Sequence, residues 1–208
     1  MKLALAIPTR GVIFAQTIES TILSTEFPQD AYVTIVSGLP IPDAHNECIR
    51  RALATDCTHI LFVEEDMVIP DGGLALMMKL AEEKPIVAID YPITKDLRTT
   101  SFIDEKIVLW TGFGCTMFNR DVFEKNLHDP WLTDEYDVMI DKMHPFEYHT
   151  VKGHGNNRYG KYDILFGLEM KKLGIPMYVI PDISCRHLRM KSWERKTVNE
   201  GTHEIYDL

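Results

Sequence analysis

Three carboxylates stand side by side at the end of an apolar run in HILFVEEDMVIPD, residues 59–71: Glu64, Glu65 and Asp66, followed at once by Met67, Val68 and Ile69. A buried carboxylate costs on the order of several kcal/mol unless a cation or a donor satisfies it. The apolar flanks hold at least one of the three in a partly buried place, so the cluster points to a bound cation, against the plainer alternative of a solvated strand end. Hard oxygen ligands select Mg2+ or Mn2+, ions that typically bridge one or two carboxylates to phosphate oxygens. Two other residues with usable chemistry lie far along the chain. Asp163 opens a helical stretch, where it suits either a general base or an N-cap. His187 suits either a metal ligand or an ordinary surface position.

The pattern around these residues says what must position them. LALAI (3–7) reads as a buried strand that ends at Pro8, Thr9, Arg10 and Gly11, and VIFAQTIESTIL (12–23) repeats apolar residues at helical spacing. AYVTIVSG (31–38) is a second strand. Asp43 is the expected N-cap of a helix with Ala44, Cys48, Ala52 and Leu53 on its inner face. HILFV is a third strand, Asp71 the expected cap of a helix carrying Leu74, Met77, Met78 and Ala81, and PIVAID (85–90) a fourth strand. Strands alternating with helices imply an α/β fold with a mostly parallel central sheet and helices on both faces. Ligands of such sheets sit outside the carboxyl ends of the strands. Thr9, Arg10, Ser37, Gly38, the acidic triplet and Asp90 should therefore share one rim.

The second half differs. KIVLW and CTMFN flank TGFG (111–114), the pattern of a hairpin or kinked strand pair, which adds a small antiparallel part. Residues 129–161 are rich in Asp, His, Gly, Asn and Tyr with little periodicity, as in a functional loop. DILFGLEMKKLG reads as a helix closed by Gly174, and MYVI as the last strand. The expectation is a single domain over 1–208, with a nucleotide-binding half (1–100) and an acceptor-side half (101–208).

Composition bounds the rest. Twenty-two Lys and Arg against 31 Asp and Glu give a net charge of -9, which argues against general polyanion binding. MKLALAIPTRG lacks the long apolar core of a signal peptide, and no window approaches a membrane span. Cys48, Cys57, Cys115 and Cys185 are scattered without a C-x-x-C pair, the usage of a reducing, cytoplasmic compartment.

Several segments, in order, resemble one family. HILFVEEDM resembles the strand ending in Asp-x-Asp of metal-dependent GT-A glycosyltransferases, especially the family 2-like inverting enzymes, with Glu64 in place of the first Asp. IPTRG resembles that family's first-strand loop, and AHNECIRRALATDC its Ala-Arg-Asn segment, with His45 for Arg and Asn46 matching. WTGFGCTMFNRDVFEK is similar to the strand and loop that line the donor sugar. YDILFGLEMKKLGIPMYVIPDISCRH is similar to the segment that runs from a Glu-Asp pair, here Tyr162 and Asp163, to a late histidine, here His187.

The resemblance implies a nucleotide-sugar donor, UDP-linked, and Mn2+ or Mg2+ held by Asp66 and His187, with Glu64 near the ribose or the metal and Asp163 as base. Pro8, Thr9, Arg10, Asn46, Glu64 and Glu65 then fall on the donor, and Trp110, Gly112 and Gly114 on its sugar, with core packing an equal account of Trp110. Trp131, Asp134 and the loop from His144 to Tyr159 fall on the acceptor, a glycan or a modified nucleobase of DNA. RHLRMKSWERK (186–196) gathers five cations around Trp193, either a solvated face or a contact for an anionic acceptor. A nucleotidyltransferase is the enzymatic rival, although PTRGVIF is no Gly-rich phosphate loop; a catalytically inactive nucleotide-sugar-binding protein is the other.

Overall fold

The computed structural model describes residues 1–94, 97–124, 131–133, 138–140, 162–192 and 203–207. In chain order the elements are β1 (Leu3–Thr9), α1 (Ala15–Ser20), β2 (Tyr32–Ser37), α2 (Ile41–Leu53), β3 (His59–Val63), β4 (Met67–Val68), α3 (Gly73–Ala81), β5 (Ile86–Ala88), β6 (Pro92–Thr94), β7 (Leu97–Arg98), β8 (Ser101–Phe102), β9 (Ile107–Trp110), β10 (Cys115–Asn119), α4 (Asp121–Glu124), β11 (Trp131–Thr133), β12 (Val138–Ile140), α5 (Tyr162–Lys172), β13 (Met177–Val179), β14 (Arg186–Ser192) and β15 (His203–Asp207).

Eight strands form one sheet in the order β2-β1-β3-β10-β5-β13-β9-β8. Following the pairings along it, only β10 and β9 run against the other six strands. The expected α/β architecture with a mostly parallel sheet is what forms. Period-2 alternation divides the core. Ala4, Ala6, Ile60 and Phe62 face one way, into a layer with Ala44, Cys48 and Ala52 of α2 and Phe166 and Met170 of α5. Leu5, Ile7, Leu61 and Val63 face the other, with Leu74, Met77 and Ala81 of α3 and Ile18 of α1. The alanines of β1 let α2 approach closely, and the helices lie on both faces as expected.

Several local expectations need correction. The helix of α2 starts at Ile41, after Pro40 at the N-cap, so Asp43 sits inside the first turn and caps nothing. At α3 the N-cap is Gly72 with φ 76°, and the orphan N–H groups of Gly72 and Ala75 donate instead to the Glu26 carboxylate at 2.8 and 2.9 Å. TGFG joins no hairpin: β9 pairs with β13 and β8, whereas β10 crosses to lie between β3 and β5. Nor is MYVI the last strand, because β14 pairs with β4 and with β15. Only Ala15–Ser20 of the 12–23 stretch is helical. Within 129–161, β11 and β12 pair antiparallel, and the remainder of that stretch lies outside the described residues.

Gly174 does close α5. With φ 70° it donates its N–H to Lys171 while Ile175 donates to Met170, the paired bonds of a Schellman motif. Gly167 sets how closely α5 lies on β9: a Cβ there would meet the Leu109 carbonyl and come within 2.7 Å of Trp110 Cβ. Gly167→Ala should therefore lower the unfolding free energy by about 1–3 kcal/mol, the usual cost of overpacking. Urea unfolding monitored by circular dichroism measures it, and an unchanged midpoint would show that the helix can back away freely.

Candidate functional site

The chain immediately after β3 is fastened by its backbone before any side chain acts. Glu64 donates its N–H to the Gly114 carbonyl at 2.9 Å, and the Glu65 carbonyl accepts from Phe14 N–H at 3.0 Å and from the Thr17 hydroxyl at 2.9 Å. Leu188 N–H donates to the Asp66 carbonyl at 2.8 Å, which continues the register Met67 to His187 and Val68 to Arg186 between β4 and β14. That two-residue ladder brings Asp66 and His187 together.

The three carboxylates then diverge. Glu64 continues the alternation of Ile60 and Phe62, so it turns toward α2 and α5. There its Oε1 lies 3.6 Å from His45 Nε2 and accepts from the Tyr162 hydroxyl at 3.4 Å. Glu65 pairs with Arg10, whose Nη2 also reaches Asp66 Oδ2 at 3.3 Å. The same Oδ2 stands 3.4 Å from His187 Nε2. His187 Nδ1 lies 3.0 Å from the Pro92 carbonyl, which can accept only if Nδ1 carries the proton. In the neutral ring Nε2 therefore offers its lone pair to Asp66's side of the cleft. Asp66 Oδ1 is buried, and among the described residues no donor reaches it. A cleft of about 730 Å3 opens over this group, lined by Arg10, Glu64, Glu65, Asp66, His187 and Arg189 among others.

Other expected site residues sit nearby in less direct roles. Pro8 is buried in β1, and Thr9 spends its hydroxyl on its own turn, donating to the Val12 carbonyl and accepting from Gly11 N–H. Asn46 is buried on α2 next to His45, which itself has no exposed surface and packs against Phe62 and Tyr162. Gly112 and Gly114 have a protein partner for their close approach. Tyr91 lies under both, its oxygen accepting from Gly114 N–H at 3.1 Å, and a Cβ on Gly114 would come within 2.7 Å of the ring. Trp110 is half-buried at the end of β9 beside Gly167. Asp163 sits at the N-terminus of α5, where its charge is felt by Glu64 and Tyr91. Trp131 starts β11, and Asp134 lies outside the described residues, as do His144 to Tyr159 and 193–196.

Sequence reasoning missed two groups. Tyr91 also packs edge-on against His187, ring centroids 5.4 Å apart, and so supports the histidine as well as the glycine loop. Its signal was its place directly after Asp90 on the ligand rim. Thr17, fully buried on α1, carried no signal, because its partner is a backbone carbonyl 48 residues away.

Burial and like charge in this pocket have a measurable consequence. Burial, then the charges of Asp66, Glu65 and Asp163, push the Glu64 carboxyl up to about 8, against a small opposing pull from His187. Its folded pKa thus exceeds its ordinary 4.5, so the stability it contributes is present below pH 4.5 and is lost as pH rises to about 8. Glu64→Gln should melt at a higher temperature than the parent above pH 8, with the gap closing toward pH 4.5. Parallel thermal scans in EDTA test this, and a gap that stays constant with pH would contradict it.

No family model matches the sequence, and no curated protein matches it. Solved structures do. The chain is similar to A197 from STIV, at 16% identity and TM-score 0.59, over 90% of this chain and 85% of that one. It is also similar to residues 1–349 of S. aureus TarS in complex with UDP-GlcNAc, at 12% identity and TM-score 0.54, over 89% of this chain and 57% of that one. At these identities the likeness concerns the backbone alone: the chain shares the mixed α/β fold of these two structures.

Proposed function

We propose that this protein is a metal-dependent glycosyltransferase that moves a sugar from a UDP-linked donor to an acceptor hydroxyl with inversion. The observation that carries the reading is the Asp66–His187 pair, joined through β4 and β14 at the carboxyl end of the sheet, with a buried carboxylate oxygen that no donor reaches among the described residues. One oxygen and one nitrogen ligand suit Mn2+, and Mg2+ less well. Among the described residues no third His, Cys, Asp or Glu completes a site, which fits an ion that takes its remaining ligands from phosphate and water. Bound there, the ion would neutralise charge on the leaving diphosphate as a Lewis acid.

The chain's own residues supply the rest. Arg10 and Arg189 border the cleft and can meet phosphate oxygens, Arg189 being fixed by its bond to the Ile93 carbonyl. Asp163, at the mouth of α5, is the base that takes the acceptor proton. Trp110 and the Gly112–Gly114 loop, stiffened from below by Tyr91, border the sugar. Trp131 and Asp134 belong to the acceptor side. The net charge of -9 favours a glycan over DNA as acceptor. Four buried free cysteines suit a cytoplasmic setting, and among the described residues no helix is long and apolar enough to cross a membrane.

A nucleotide-release screen of UDP-sugars with Mn2+ tests the activity. Asp66→Ala should remove metal-dependent turnover at least about 100-fold while the protein stays folded; full activity would sink the metal assignment. Asp163→Asn should leave donor binding intact and suppress transfer by about 100-fold or more, the scale of general-base catalysis. Unchanged transfer would rule it out as the base.

A further inference from the structure

Asp66 already has two nitrogen neighbours. Arg10 Nη2 and His187 Nε2 both address its Oδ2, at 3.3 and 3.4 Å, while Oδ1 stays buried with no donor within reach among the described residues. The two neighbours are held very differently. His187 is 16% exposed at the side chain, anchored through Nδ1 to Pro92 and braced by the Tyr91 ring. The Arg10 side chain is 70% exposed. Its backbone is fixed, because Thr9 ends β1 and ties Gly11 and Val12 into a turn that the φ of +117° at Gly11 completes. Only side-chain rotation is needed to carry the guanidinium off the carboxylates.

We infer that Arg10 is the resident counter-cation of this cleft: it neutralises Glu65 and Asp66 until a nucleoside diphosphate draws it away, so that divalent-ion binding and diphosphate binding reinforce each other. The inference rests on the reading of Asp66 and His187 as the cation's ligands. A guanidinium already on Asp66 repels a divalent ion at the same carboxylate, and at contact distance, well inside a Debye length, salt screens that repulsion little. A diphosphate in the cleft offers Arg10 a more highly charged bidentate partner. Removing the guanidinium from Asp66 then removes the repulsion. The coupling is reciprocal, as any linkage between two ligands must be.

The test is Mn2+ binding, followed by the loss of the free-ion EPR signal beyond that caused by UDP alone, for the parent and Arg10→Gln, each with and without UDP. The parent should bind Mn2+ weakly alone and about 10-fold or more tightly with UDP, within the usual range of coupling between sites. Arg10→Gln should bind Mn2+ alone about 10-fold more tightly than the parent, and its gain from UDP should shrink. Arg10→Lys, which keeps the charge without the fork, should resemble the parent without UDP. If Arg10→Gln binds Mn2+ alone no more tightly than the parent, the counter-cation role is overturned while the metal assignment stands. If neither protein binds Mn2+ with or without UDP, both fall. Circular dichroism of the variants confirms that any change is not unfolding.

Discussion

Three negative charges are confined to consecutive residues where a fully buried strand reaches the edge of the sheet, and most of the local architecture deals with that confinement. The strand cannot retreat, since Ile60 to Val63 are wholly buried between two helical layers. Repulsion is instead divided by direction. Glu64 goes to the α2 and α5 side, Glu65 to Arg10 at the end of the neighbouring strand, and Asp66 toward β14. Each direction follows from which neighbour the backbone bonds leave within reach. The carbonyl of Glu65 is claimed by α1 and that of Asp66 by β14. The arrangement thus couples five segments, the end of β1, α1, α2, α5 and β14, through one short turn, and it leaves Asp66 with one oxygen that no donor reaches among the described residues.

The pairing of β4 with β14 explains why so short an element matters. Two residue pairs would be marginal alone, but they are fastened on one side by Tyr91 against His187 and on the other by Leu188 packed with Phe14 and Val68. Tyr91 in turn depends on Gly112 and Gly114, since either would clash with it if it carried a Cβ. The glycine loop, the tyrosine, the histidine and the aspartate form one packed column. Rigidity of that column is what a site needs to hold two ligand atoms in fixed relation.

What could be read from the sequence was what depends on near neighbours. Unbroken apolar runs gave β1 and β3, which are buried on both faces, and a β-branched run gave β2, and their ends gave the rim at Thr9, Ser37 and Glu64. Gly174 was legible as a helix stop for the same local reason. Features that depend on distant partners were not. Glu26 caps α3 from 46 residues away, a task assigned locally to Asp71. The position of β10 between β3 and β5 is a matter of sheet order, which the composition of TGFG cannot encode. The glycines at 112 and 114 were legible as sites of close approach, but the approaching group is Tyr91 as far as the chain's own atoms go.

The positions where the chain departs from the glycosyltransferase pattern are connected in space. Glu64 stands for Asp, His45 for Arg and Tyr162 for Glu, and these three side chains meet: Glu64 Oε1 lies within 3.6 Å of His45 and 3.4 Å of the Tyr162 hydroxyl, and the His45 and Tyr162 rings are 5.3 Å apart. One change makes sense of the others. A longer carboxylate arm at 64 reaches the aromatic layer that Phe62, Phe113 and Tyr162 build around His45. An arginine there would need its full charge matched in a place with no access to water, and a glutamate at 162 would add a third acid beside Glu64 and Asp163. With an imidazole and a phenol at those two positions, the trio buries no arginine and adds no second acid to Glu64. The departures therefore form one cluster around the aromatic layer, which leaves Asp66 and His187 unaltered beside it.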